Sequence, residues 1–153
     1  MSKEKVFELI MQGEPSEMDP LVSRLRESIP HEVIKAPTTE LVMFRAEESV
    51  EKLDFNVGEI LVTSAEVRVN DAIGYSMVMD IQEQRALDCA LLMAVYEARL
   101  PEAKDIEDLA EIIHQKQNAQ LREEREIVSS TRVNFEVMGG QDPNVKHNAK
   151  DRD

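Results

Sequence analysis

The sequence is poor in the residues that most often mark a chemical or redox site. Its 153 residues include no Trp, two Tyr, three His and a single Cys. One cysteine excludes an internal disulfide and fits a reducing, cytoplasmic environment. The five glycines form no Gly-rich loop, and no Walker-type phosphate motif is present. We therefore predict no metal site, no cofactor and no ATP site in this chain alone, and we assign no catalytic residue.

Positive charge is also scarce. Eighteen Lys and Arg residues stand against 31 Asp and Glu, which gives a formal net charge of −13. Proteins that bind nucleic acids or anionic membranes usually present a basic face, so we expect neither partner. No window approaches the roughly 20 apolar residues of a membrane span. The charged opening Met-Ser-Lys-Glu-Lys does not have the pattern of a signal peptide.

Apolar residues make up 42% of the chain, which is enough for one folded domain with an aliphatic core. The pattern predicts a mostly antiparallel sheet of about five strands, drawn from the segments 31–36, 41–44, 57–63, 65–69, 74–79 and 132–137. The first two favour a hairpin with a turn at Pro37-Thr38-Thr39. Residues 46–54 favour a loop. The nearly continuous apolar run 57–63 is typical of a strand covered on both faces.

Helical spacing appears in four segments: 3–12, about 20–28, 83–99 and 105 to about 129. The segment 83–99 is apolar nearly all round, which predicts a buried helix. The last helix begins with an apolar stripe but is almost wholly polar from His114 to Glu126. The fold class is therefore α+β, with several helices packed on the sheet and one long polar helix near the C-terminus. Residues 1–140 form the domain, and 141–153 are expected to be a disordered tail.

Several single residues within the predicted elements allow both a structural and a functional interpretation. Cys89 lies within the apolar helix, so we expect it to pack as a small buried apolar side chain rather than to act as a reactive thiol. Gly58 and Gly74 indicate bulges or close backbone approach in the sheet. Glu59 interrupts an apolar strand, so it either has a buried partner or lies at an edge. The acidic residues between 102 and 111 cluster at the start of a predicted helix, where the helix dipole stabilises negative charge. We favour this role over a catalytic or metal-binding one.

The polar helix and the last strand are the candidate partner interface. A helix so polar either projects into solvent or lies against a polar partner surface. A final strand can pair at the sheet edge of a neighbour. Arg122 and Arg125 share a helix face, and their guanidinium groups either bind an oxyanion or form solvated ion pairs. The candidate interface residues are Leu121, Arg122, Arg125, Arg132, Val133 and Phe135.

The chain resembles the PhnG family, whose members are core subunits of the carbon–phosphorus lyase machinery, over most of its length. The resemblance rests on Glu32-Val33-Ile34, the segment Phe55 to Thr63, Gly74-Tyr75-Ser76, the helix with Arg-Ala-Leu-Asp-Cys-Ala-Leu, and Ser130 to Phe135. Gly58, Glu59, Gly74 and Tyr75 are its structural signature residues. The chain departs from the family pattern at Met79-Asp80-Ile81, where the family often has Gly.

The resemblance implies a subunit of a complex with subunits H, I and J and an ATP-binding-cassette-like subunit L. Together with subunits I, H and L, members of the family act in the first committed step, in which a phosphonate displaces adenine from ATP and a ribose 1-phosphonate 5-triphosphate is formed. The resemblance places the active site in subunit I and carries no catalytic residue to this chain. We therefore expect a non-catalytic, cytoplasmic assembly subunit that binds subunit I most directly. The alternative is a stand-alone α+β ligand-binding or small-substrate enzyme domain, and whether the isolated chain is a homo-oligomer stays open.

Overall fold

The structure is a computed structural model that describes residues 1–133. Within this part the chain forms four α-helices and three β-strands. In chain order they are α1 (Lys3–Gln12), α2 (Pro15–Ser28), β1 (Glu32–Glu47), β2 (Asp54–Val69), β3 (Ala72–Met79), α3 (Glu83–Glu97) and α4 (Ala103–Ser130). The predicted α+β class is confirmed.

The prediction of about five strands is not confirmed, because the described residues form one antiparallel sheet of three, in the order β1-β2-β3. Segments 31–36 and 41–44 belong to the single strand β1, so the predicted hairpin between them is wrong. Pro37 is accommodated at a register shift between Lys35 and Thr38, where no regular ladder pairing is needed. Segments 57–63 and 65–69 are likewise one strand, β2. The last predicted strand extends beyond the described residues.

The first two strands continue past the third. β3 pairs with β2 only from Val62 to Val69, whereas β1 and β2 stay paired as far as Glu47 and Asp54. Residues 41–61 therefore form a two-stranded ribbon, which we call the arm. The predicted loop 46–54 is shorter than expected, and its middle is a turn closed by the Glu48 N–H donating to the Leu53 carbonyl at 3.0 Å.

The helix α3 packs on β2 and β3 and covers one face of the sheet. The predicted buried helix is confirmed, since most residues of α3 between Ala86 and Val95 are buried. Each of the other three helices contributes buried apolar residues to the same core cluster, among them Leu9, Leu25 and Ile113. α3 is thus the helix that packs directly on the sheet, and α1 and α2 pack against α3.

Buried polar groups at this interface have partners. The hydroxyl of Thr63 donates to the Asp80 carbonyl at 2.7 Å and accepts from the Gln82 N–H at 3.1 Å, just before α3 begins. Ser76 donates to the Ala86 carbonyl at 2.6 Å. The Arg85 guanidinium donates to the Met11 carbonyl at 2.8 Å, near the C-terminus of α1. These bonds hold the start of α3 against both the sheet and the first helix.

Two helix boundaries differ from the prediction. α2 begins at Pro15 rather than near Pro20, because proline fits the first helical position and the Glu17 carboxylate accepts from the Glu14 N–H at 3.0 Å. α4 extends from Ala103 to Ser130, so its start lies slightly earlier than expected. The described residues divide into two units, and the boundary falls after Ala119, within α4.

Candidate partner-binding surfaces

The face of the sheet opposite α3 carries apolar side chains that no described element covers. Paired residues of antiparallel strands share a face, so Val42 with Ile60 on the arm and Ile73, Tyr75, Met77 and Met79 on β3 all point away from α3. Phe44 and Phe55 continue the row along the arm. We call this surface the outer face. Phe44 is 53% exposed and Met79 is 65% exposed.

The base of the outer face is polar and contains two ion pairs. Arg68 pairs with Glu32 at 3.3 Å, and Lys35 pairs with Glu40 at 3.2 Å. The Lys35 ammonium also donates to the buried Ser64 hydroxyl at 2.9 Å. Exposed ion pairs of this kind contribute little to stability.

The opposite side of the arm is mixed in character. Leu41 and Met43 are exposed there, and the same side carries Arg45, Glu47 and Glu59. The arm is therefore apolar on the outer face and charged towards its tip on the other. Contiguous exposed apolar surface on a soluble domain commonly marks an interaction site.

Sequence reasoning missed this surface because the apolar run 57–63 was predicted as a strand buried on both faces. The run does place apolar side chains on both faces of β2, but along the arm neither face is covered by a helix. The signal was present in the sequence as two long apolar segments, around Phe44 and around Ile60. What the sequence does not give is the length of β3, which ends too early to extend the sheet along them.

The predicted interface residues lie on the last turns of α4 and just beyond it. Leu121, Arg125 and Arg132 line one shallow groove together with Val128, which is 68% exposed. Arg122 is exposed but does not line that groove. Val133 is exposed, and Phe135 lies outside the described residues. The structure thus brings three of the six predicted residues together around one groove, two on α4 and Arg132 just beyond it.

The signature residues do not form one site. Gly58 pairs with Phe44 beside a register shift, and Glu59 is exposed on the arm, so a rim position explains that carboxylate. Gly74 is buried against α3, while Tyr75 points to the outer face. Both glycines therefore have structural explanations, one beside a bulge and one at a close backbone approach.

The titratable residues do not converge on a reaction centre within residues 1–133. Among these residues, no three His, Cys, Asp or Glu side chains are grouped so that they could hold a metal ion. Burial raises the pKa of the Cys89 thiol to about 11, which is the opposite of what a nucleophile requires. The His31 ring contacts the Ile29 carbonyl at 2.8 Å, so a local backbone contact occupies one of its nitrogens. None of the described helices is long and apolar enough to cross a bilayer.

The comparison with known families agrees with the signature residues. A family model described as phosphonate metabolism protein PhnG matches residues 1–140. The match covers the whole arm, the outer face and all of α4, and it ends before the C-terminal segment 141–153.

Proposed function

We propose a role for this chain from the premise that it belongs to the PhnG family of phosphonate metabolism proteins. It acts as a non-catalytic assembly subunit of the complex that converts ATP and a phosphonate into adenine and a ribose 1-phosphonate 5-triphosphate. Its partners are the pathway's subunits I, H and J, together with an ATP-binding-cassette-like subunit, in the cytoplasm.

The uncovered apolar surface is the observation that carries this proposal. The arm and the outer face expose more large apolar side chains than a domain working alone needs, because exposed patches invite aggregation. A partner that covers these side chains would remove the aggregation-prone surface, and their burial would stabilise the complex. Binding of a partner to the arm would therefore explain why β1 and β2 extend beyond the shorter β3.

The end of α4 supplies a second contact surface, directed to subunit I. Leu121 and Val128 give it an apolar centre, and Arg125 and Arg132 line the groove beside them together with the single carboxylate of Glu124. Arginine beside an apolar anchor is typical of the residues that dominate binding energy. On a chain of net charge −13, such a patch also distinguishes this helix face from the rest of the surface.

The test is co-expression of the tagged chain with subunits I, H and J, followed by affinity capture and size-exclusion chromatography. We expect a stoichiometric complex that contains subunit I. Replacing Leu121, Arg122 and Arg125 together by Ala should leave the melting temperature within a few degrees of wild type, because exposed changes usually cost little. The same variant should weaken capture of subunit I by at least about tenfold.

The matched control changes Gln120 and Glu123, which are exposed on the opposite side of the same helix, to Ala. This variant should capture subunit I as well as wild type does. The isolated wild-type chain should release no adenine from ATP and methylphosphonate. Adenine release by the chain alone, or a folded wild-type chain that captures no pathway subunit, would instead support the hypothesis of a stand-alone enzyme or ligand-binding domain.

A further inference from the structure

The arm has a chemical asymmetry that points to the kind of surface it docks on. Val42, Phe44 and Ile60 on its outer face are apolar, and the row continues through Val62 of β2 onto Met79 of β3. Two carboxylates border this row: Glu40, which pairs with Lys35, and Glu66 of β2, which lies opposite Tyr75 towards the base of the face. A flat apolar row of this length is suited to an equally apolar wall on a partner.

The tip of the arm is acidic. Glu47, Glu48 and Glu51 are all exposed there, with Lys52 as the nearby basic residue. Across residues 40–61 the sequence has six acidic and two basic residues, a formal net charge of −4. The shaft of the arm is thus apolar on one face, and the end that meets a partner first is negative.

We propose that the arm docks into an apolar groove with a basic rim on another protein subunit, with the outer face against the groove. The inference rests on the proposed function and names the surface by which the chain assembles. The charged residues Arg45, Glu47 and Glu59 on the other side of the arm stay towards the rim and solvent. Complementary charge at the rim steers the encounter, and the apolar contact provides the affinity.

Charge disfavours a second copy of the chain as the occupant. Each copy has a net charge of −13 and carries its own acidic arm tip, so association of two copies is opposed by long-range repulsion. We therefore commit to a different protein, with Lys and Arg around the groove.

The first experiment removes apolar surface and keeps strand propensity. Val42, Phe44 and Ile60 are changed together to Thr, which suits β-strands as well as the residues it replaces. Binding is measured against purified subunits I, H and J, singly and co-expressed. We expect the affinity for the subunit that captures wild type to fall about a hundredfold, as it does when central anchors are lost. The matched control, Leu41→Thr with Met43→Thr, changes the other side of the same strand and should alter affinity by less than about threefold.

The second experiment reverses charge at the tip. Changing Glu47, Glu48 and Glu51 to Lys should slow association about tenfold at low ionic strength, and the difference should shrink at high salt. A control with Glu27, Asp108 and Glu111 changed to Lys has the same net charge but leaves the tip acidic. That control should associate faster than the tip variant. Equal association rates of the two would overturn the role of the tip in steering.

The outcomes separate this inference from the proposed function. A wild-type chain that captures none of the subunits overturns the proposed function and this inference with it. Capture by wild type with equal affinity for the outer-face variant overturns this inference alone. A dimer of the isolated chain that the outer-face variant abolishes identifies a second copy as the occupant and also overturns it. Hydrogen exchange of wild type needs no variant: protection of amides 41–61 in the complex supports the docking, and unchanged exchange there contradicts it.

Discussion

Gly74 of β3 lies directly against the backbone of Ala94 in α3. A Cβ atom built on Gly74 would stand 2.9 Å from the Cα of Ala94, and closer still to the carbonyl oxygen of Ala90. The atoms in the way belong to helix backbone, which cannot rotate aside. This contact sets how closely α3 packs on the sheet, on the face opposite the outer face.

Replacing Gly74 by Ala should therefore destabilise the domain strongly. The new methyl group must push α3 away from the sheet, and we expect the free energy of unfolding to fall by about 3 kcal/mol, at the upper end for overpacking. Gly58→Ala is the control, since nothing lies within 4 Å of a Cβ placed there. Urea titrations of both variants against wild type measure the difference. Equal stability of the two would show that α3 and β3 separate without cost.

The helices were easier to predict from the sequence than the sheet. The segment 83–99 has apolar residues on nearly every side, and only burial on most sides accommodates them, so α3 was predicted correctly. The strand boundaries were predicted wrongly, because Pro37 and the polar pair Thr63-Ser64 are typical of the ends of strands. Pro37 instead lies at a register shift, and Thr63 is buried with its hydroxyl bonded.

The two candidate surfaces also differ in how far the sequence predicts them. The polarity of α4 after His114 is visible directly in the residues, and the structure places Leu121 and Arg125 on one exposed groove. The outer face depends instead on which segments pair, and pairing is a long-range property that local patterns do not carry. Val42 and Ile60 were predicted as strand residues, but only their register shows that they share an uncovered face.

Thr63 connects the sheet to the start of α3 through a single hydroxyl group. Its replacement by Val keeps the shape and β-propensity but leaves the Asp80 carbonyl and the Gln82 N–H without this partner. We expect a loss of about 2 kcal/mol in the free energy of unfolding, because a buried polar group without its bond is costly. Thr39→Val serves as control, since Thr39 is exposed and its hydroxyl only makes a 3.5 Å contact with Thr63. Chemical denaturation of both variants gives the comparison, and a stable Thr63→Val protein would mean that water replaces the hydroxyl.

Cys89 should be chemically silent in the folded protein. It is buried within α3, and desolvation raises the pKa of its thiol to about 11, so at pH 8 only about a thousandth of it is thiolate. We expect reaction with a disulfide reagent to be at least on the order of a thousandfold slower in native buffer than in concentrated guanidinium. Absorbance of the released thiol measures both rates. Comparable rates would place Cys89 at an accessible surface.

The ion pair between Lys116 of α4 and Glu17 of α2 should make stability depend on pH. The Lys116 ammonium lies 2.8 Å from the Glu17 carboxylate, and this hydrogen bond is the main reason that the pKa of Glu17 is lowered and the pKa of Lys116 is raised. A lowered carboxyl pKa stabilises the fold above the ordinary Glu range, and that stability is lost as pH falls through the lowered value. The raised pKa of Lys116 acts at the other end, and its contribution is lost as pH rises through the raised value.

Lys116→Met should therefore melt at a lower temperature than wild type near neutral pH, and the gap should narrow in acid as Glu17 becomes protonated. Part of the lowered pKa of Glu17 should survive in the variant, because the Glu14 N–H still donates to its carboxylate. Lys104→Met is the control, since Lys104 is exposed and forms no ion pair with any residue in the range 1–133. Thermal scans of the three proteins from neutral to acidic pH measure the gap. A gap that stays constant over this range would show that Lys116 acts through packing of its methylene chain and not through its charge.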